Sequence, residues 1–278
     1  MSVLEAPRLA KVRQPRRPMD PATIGRTAVL LIATFLTLGP VFWTIWVALT
    51  PAGGGLSLSA FADVFNQVDM VLLTWNSALV TGIVALGQMI TAAMAGYAFA
   101  RLEFRGRNLL FGTVLATMMV SPVVTIVPVF MLIRGMGLAD TLLALILPAV
   151  PTAFGTFLMR QYFMTLPPDL AEAASIDGAG PFRIFATIYA PLATPGMAIV
   201  GILAFNYHWN EFFRPLILTI SEENFTLPLG LVTLQGNLGT GSVATVLAGV
   251  VLSMIPALLV FVLGQRPLRE GLTTGINK

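Results

Sequence analysis

Residues 166–196 read LPPDLAEAASIDGAGPFRIFATIYAPLATPG, a charge-bearing, proline-punctuated segment set between long apolar runs. Its start is that of a helix. Thr165 offers a cap, Pro167 and Pro168 suit a first turn whose amides lack intrahelical acceptors, and Asp169 and Glu172 favour the positive helix end. Asp177-Gly178 ends it. Pro181 then opens a second short helix in which Phe182, Phe185, Ile188 and Tyr189 form one apolar stripe, before Pro191 and Pro195 interrupt. Two short helices joined by a glycine turn make a stiff knob, read as a docking device on the inner face of a membrane protein.

Working outward, 56% of the 278 residues are hydrophobic and only 10% are charged, with a mean hydropathy of +0.84. That balance cannot cover a soluble globule with polar surface, so lipid is the solvent. A helix crossing about 30 Å of hydrocarbon needs roughly 20 residues, and each central charge costs about 2.5–3.5 kcal/mol. Stretches free of Asp, Glu, Lys and Arg cover 27–62, 70–100, 108–133, 141–159, 184–210 and 242–265. These predict six spans, near 26–50, 75–100, 108–133, 141–160, 195–213 and 242–265, after a basic cytoplasmic tail over 1–23. The expected architecture is an all-α membrane protein, with residues 24–278 as one domain and the knob over 166–191. Two longer outer loops fall at 51–73 and about 214–241. Prolines 122, 128, 148, 151 and 256 fall inside spans and should kink them. Small residues in the second span, Ala92, Ala93, Ala95, Gly96 and Ala98, should let it pack closely against other helices.

Orientation follows from the cations. With the N-terminus inside, fourteen of the sixteen basic residues lie on the inner side, and only Arg134 and Arg214 outside, while acids divide seven to six. The positive-inside rule therefore places both termini in the cytoplasm. The net charge of +3 reports this topology and attraction to anionic headgroups, not nucleic acid. With no cysteine, thiol catalysis, disulfides and sulfur-ligated metals are excluded, and one histidine leaves no ligand cluster. The two lysines, Lys11 and Lys278, follow Ala10 and Asn277, so neither belongs to a phosphate-binding loop. The first apolar run is longer than the core of a cleaved leader and follows more than twenty residues of tail, so a retained first span is expected.

Glu172-Ala173-Ala174, Asp177-Gly178-Ala179, Pro191-Leu192 and Pro195 together resemble the EAA loop of the permease subunits of bacterial ABC importers. Residues 95–107 (AGYAFARLEFRGR), Trp209-Asn210-Glu211-Phe212 and 264–275 (GQRPLREGLTTG) are similar to the maltose-type carbohydrate-uptake permeases. The resemblance covers most of residues 24–278; the ending Gly275-Ile276-Asn277-Lys278 departs from the family's usual Gly-Ala-Val-Lys-Gly. It implies a multi-pass subunit of the bacterial plasma (inner) membrane that is not itself an enzyme and binds no cofactor. Its partners would be a second homologous permease, two ATP-binding subunits that use ATP and Mg, and an extracytoplasmic solute-binding protein. It also implies that Glu172, Ala173, Ala174, Asp177, Gly178 and Ala179 engage the ATPase. Gln235, Gly236 and Asn237 would face the solute-binding protein, unless they form a plain solvated turn. Gly271, Leu272, Thr273 and Gly275 of the tail would touch the ATPases.

One strongly polar cluster lies in or near a span: Asn206, His208, Asn210 and Glu211, interleaved with Tyr207, Trp209, Phe212 and Phe213. Ionisable groups within a membrane usually face a cavity or partner, so Asn206, Trp209, Asn210 and Glu211 are candidates for a solute path. Aromatic residues also gather at the interface simply as anchors, and both readings stand. The resemblance implies a sugar or sugar-like solute, with a polyamine or other small solute as the alternative. A secondary carrier would need a carboxylate near mid-membrane, which no span offers, and often shows an internal duplication, absent here. An intramembrane serine protease would have to use Ser242, after Gly241, with His208.

Overall fold

The structure, a computed structural model, describes residues 21–51, 54–236 and 241–274, with side chains described between 25 and 264 of these. All regular structure among the described residues is helical. The chain divides into a unit ending at Trp46 and a second beginning at Val47. The first holds most of α1 (Pro21–Leu49), an apolar helix whose Val29, Leu30, Phe35, Phe42 and Trp43 are all exposed.

In the second unit, α3 (Met70–Arg101) is the post around which the cores form. Asp69 starts it, its Oδ1 accepting from the Leu72 amide at 2.9 Å. Its buried stripe repeats at helical spacing through Leu73, Ser77, Val80, Val84, Gln88, Ala92 and Gly96. The opposite stripe, Trp75, Ile83, Leu86, Ile90 and Met94, is exposed and wholly apolar. In lipid the outer face gains nothing from being polar, so the inward face is marked by small and polar side chains instead. Ala92, Ala93 and Gly96 are buried as expected, whereas Ala95 and Ala98 are half-buried.

Three cores sit along this post. Leu73 joins Trp209, Leu227, Leu231 and Ala248; Val80 and Val84 join Ile133, Leu145, Ala149 and Leu218; Ala92, Ala93 and Tyr97 join Met159, Phe163, Ile184 and Tyr189. A close helix crossing lies at Gly96, where a Cβ would lie 2.6 Å from Met159 Cβ and 2.8 Å from the Arg160 amide nitrogen.

Several expected spans are broken helices. Three are single helices long and apolar enough to cross a membrane: Gly25–Leu49 of α1, α3, and Val243–Gly264 of α14 (Val243–Thr274). The expected 108–133 span is instead α4 (Arg107–Thr117) and α5 (Pro122–Gly135), bent by 100°. Pro122 holds Ser121 in extended backbone and starts a helix rather than kinking one. The expected 141–160 span divides at Pro151 into Leu142–Ala149, containing α6 (Leu142–Ile146), and α7 (Ala153–Thr165), bent by 41°. Thr152 caps α7 through its hydroxyl and the Gly155 amide. The fifth, α11 (Thr194–Trp209), stops at Asn210, short of residue 213, and meets the preceding helix at 75°. Each bent pair passes the length and apolarity test only when taken together.

The two stretches read as outer loops are largely helical. The first contains α2 (Ser59–Gln67); the second contains α12 (Phe213–Leu218) and α13 (Leu227–Thr233). Apolar residues buried against α3 and α14, among them Val64, Leu227 and Leu231, explain why.

Candidate functional site

The knob forms at the expected place with a different entry. Thr165 ends α7, its hydroxyl donating to the Tyr162 carbonyl at 2.7 Å, and caps nothing downstream. The leucine-proline segment that follows turns the chain, and α8 (Asp169–Ile176) starts after Pro168 without a side-chain cap. Asp169 and Glu172 lie in its first turn as predicted. At the other end the Gly178 amide donates to Ser175 and the Ala179 amide to Ala174, both at 3.0 Å, a pairing that satisfies the last carbonyls. Gly178 sits at φ +77°, with open space where a Cβ would be, so conformation rather than crowding selects glycine.

The second short helix runs from Pro181 to Leu192 and contains a π-turn over Phe185–Tyr189. The Ala190 amide donates five residues back, to Phe185. Tyr189 is buried, and Phe185 and Ile188 are half-buried against the same core, as expected of the stripe; Ile184 joins them, whereas Phe182 is 71% exposed.

Glu172, Ala173, Asp177 and Gly178 are exposed, and Ala174 and Ala179 are half-buried against the root. Glu172 forms no ion pair with any described residue. Ile176, 87% exposed, and Phe182, 71% exposed, add apolar side chains to the exposed surface of the same knob. Such a surface can take a partner's groove in which one carboxylate finds a cation.

The root is an aromatic cluster. Tyr97 of α3 packs on Phe163, Phe185 and Tyr189 at centroid distances of 5.9, 5.2 and 5.4 Å. Its hydroxyl donates to the Pro181 carbonyl, and that of Tyr189 donates to Pro167, each at 3.3 Å. Both ends of the knob are thus pinned. Arg101 lies over the Tyr189 ring, 5.1 Å from its centroid, and donates through Nη2 to the Phe163 carbonyl at 2.7 Å and to that of Leu166. Neither Tyr97 nor Arg101 was singled out by sequence; the available signal was a cation directly closing an apolar run.

The polar cluster is brought together only in part. His208 Nδ1 is 2.8 Å from Glu211 Oε2, which also accepts from Arg214 Nη2 at 2.5 Å. Gln88 of α3 reaches His208 Nε2 at 3.1 Å. Gln88 and Arg214 are partners that sequence reading missed, although a lone amide inside an apolar run was the clue. Asn206 and Asn210 are exposed and joined by a hydrogen bond from Asn210 Nδ2 to the Asn206 backbone carbonyl at 2.8 Å. Trp209 points elsewhere. It is 3% exposed, stacked on Phe205, and donates to the Ser253 carbonyl of α14, so it anchors packing. Ser242 Oγ accepts from the Thr245 amide and His208 is held by Gln88 and Glu211, so they form no catalytic pair.

Gln235 and Gly236 are exposed, Gly236 at φ +65°; Asn237 lies outside the described residues. Gly271, Leu272 and Thr273 are part of the helical backbone of α14, and Gly275 lies outside the described residues. No group of acidic or histidine side chains among the described residues could hold a metal ion.

The chain is 36% identical over 222 residues to the arabinooligosaccharides transport system permease protein AraQ of Halalkalibacterium halodurans, covering 79% of each. It is 31% identical to the sn-glycerol-3-phosphate transport system permease protein UgpE of Yersinia enterocolitica, covering 90% of this chain and 86% of that one. In structure it is similar to a chain of a bacterial ABC transporter involved in the import of the acidic polysaccharide alginate. The TM-score is 0.77 at 24% identity, over 87% of this chain and 95% of the other. Residues 88–269, from the middle of α3 into α14, match one family, and the chain belongs to it: the binding-protein-dependent transport system inner membrane components.

Proposed function

We propose that this chain is the six-span permease subunit of an ATP-driven importer of a sugar or sugar-like solute, with both termini in the cytoplasm of a bacterium and the knob beneath the membrane. Each bent helix pair is then one span. A second homologous permease completes the path, two ATP-binding subunits dock beneath and use ATP and Mg, and an extracytoplasmic binding protein delivers the solute. The relatives named for arabinooligosaccharides and glycerol phosphate favour a hydroxyl-rich solute. Asn206, Asn210 and Glu211 would line or shape the path, backed by Trp209, since side-chain amides and carboxylates bond hydroxyl groups. Gln235 to Asn237 would meet the binding protein, and the tail from Gly271 to Gly275 the ATPases.

One observation carries this reading: a rigidly rooted, exposed foot whose surface carries Ile176, Phe182 and the unpaired Glu172. The test is copurification and uptake in the complete assembly. Glu172→Lys and Gly178→Pro should abolish association with the ATP-binding subunits or ATP-dependent uptake. Both activities surviving both substitutions would remove the docking assignment.

A further inference from the structure

Two helices end side by side at the knob's root, and their C-termini are negative ends of helix dipoles. Such ends repel unless a cation lies between them. Two arginines cross over to do this. Arg101 closes α3 but donates to the last carbonyls of α7, Phe163 and Leu166; Arg160 belongs to α7 but donates through Nε to the Phe99 carbonyl of α3 at 3.3 Å. Arg160 also lies 4.3 Å from the Phe111 ring centroid of α4. Just above them the helices cross at Gly96, too closely for a Cβ.

The two arginines are not equivalent. Arg160 joins α7 to α3 and α4 and has no hydrogen bond or ring contact with a described residue of the knob. Arg101 holds Leu166, the residue from which the knob departs, and covers Tyr189, through which the knob returns. One guanidinium thus fixes the outgoing carbonyl and the incoming ring together, while Tyr97, one turn back, takes the Pro181 carbonyl. The chain path joins the knob to α7 and α11; Arg101 and Tyr97 add α3, the post shared by all three cores.

We propose that Arg101 is a positioning residue that transmits displacement of the knob into α3, so that its loss lets ATP be hydrolysed without proportionate solute movement. The inference rests on the proposed importer function. Both carbonyls are met by the one Nη2; a lysine ammonium could donate to them, but its side chain is shorter and lacks the flat guanidinium face that lies over the Tyr189 ring.

The experiment uses the complete assembly in proteoliposomes with its binding protein, measuring solute moved and ATP hydrolysed per assembled complex. The parental assembly must require ATP; if it does not, the importer reading itself fails, whatever Arg101 does. Given that requirement, Arg101→Gln and Arg101→Met should lower the ratio of solute moved to ATP hydrolysed by roughly tenfold, the size of an ordinary coupling energy between sites. Arg101→Lys should recover part of it, and Arg160→Met should keep the parental ratio even if less complex assembles. A merely structural arginine would lower both rates together and leave the ratio intact. A parental ratio in Arg101→Gln and Arg101→Lys, or an equal loss in Arg160→Met, overturns the proposal. Should the uncharged variants not assemble, Arg101→Lys decides: a parental ratio there overturns it and a reduced one supports it.

Discussion

The side-chain nitrogen of Gln88 lies 3.1 Å from His208 Nε2 while donating to the Ala149 carbonyl at 2.8 Å, so one buried amide bridges the histidine and the end of the Leu142–Ala149 segment. A carbonyl only accepts, so the amide NH2 must face Ala149, and its second hydrogen points at Nε2. Nε2 then faces a donor, while Nδ1 lies 2.8 Å from Glu211 Oε2 and 3.0 Å from Arg214 Nη2. A relay of Gln88, His208, Glu211 and Arg214 ties α3 to the end of α11 and the start of α12.

Arg214→Ala should therefore be costlier than an exposed ion pair would suggest. The paired side chains are only 12% and 16% exposed, so the substitution leaves Glu211 charged with its main partner gone. A loss of roughly 2–3 kcal/mol is expected, between a hydrogen bond to a charged group and a broken buried pair. Adding Glu211→Gln should return a good part of it, because the double variant has no stranded charge. Thermal unfolding of the solubilised assembly checks both; equal melting of single and double variants would contradict the pairing.

Gly178→Ala should weaken the knob although nothing crowds the position. A Cβ at φ +77° costs about 1–2 kcal/mol in left-handed backbone. Asn, which tolerates that region, should behave nearly as glycine. Limited proteolysis at the knob distinguishes them: faster cleavage for alanine alone is the expected pattern.

How much of this could be read from residues alone differs by element. The knob was legible because its signals are local: two acids in a first turn, Asp177-Gly178 at the end, Pro181 at the next start. Its inward face was legible through Phe185, Ile188 and Tyr189 but not at its start, where Ile184 is buried in place of Phe182, and no residue from 185 to 189 announces the π-turn. The long spans were legible from apolar length, and the breaks within them less so. Pro122 was seen, but whether a proline kinks a helix or starts a new one depends on whether the preceding residue stays extended, as Ser121 does. The polar cluster was visible in α11, yet its burial was not, because Gln88 comes from 120 residues earlier and only the fold brings it to His208.

Gly96→Val tests the crossing that joins α3 to α7. Its Cβ would overlap Met159 Cβ and backbone of Arg160, neither of which can swing aside as a flexible side-chain end would. Overpacking of this kind typically costs about 1–3 kcal/mol, and here it would also spread the root of the knob. The expected result is poor assembly and a lower melting temperature, with Gly112→Val, in open space on α4, as the unaffected control.

Asp140 offers a pH test outside the spans. It sits at φ +57° between α5 and α6, and its carboxylate accepts from the Ile220 amide at 2.8 Å, the Ser221 amide at 3.0 Å and the Ser221 hydroxyl at 2.5 Å. Those bonds, the Ile220 amide foremost, hold its pKa down from 3.8 to about 2. A carboxyl whose pKa is lower when folded stabilises the fold fully above its unfolded value and loses that contribution as pH falls through the folded one. The clasp between the Asp140 turn and the segment 219–224 should therefore hold above about pH 4 and loosen between about 3.8 and 2. Asp140→Asn keeps an acceptor and suits the positive φ but removes the titrating charge. Hydrogen exchange at the Ile220 and Ser221 amides should accelerate on acidification in the parent beyond the intrinsic pH trend. In Asp140→Asn the protection should be weaker at neutral pH and unchanged across that window; a parent that shows no such loss would place the hydrogen bonds elsewhere.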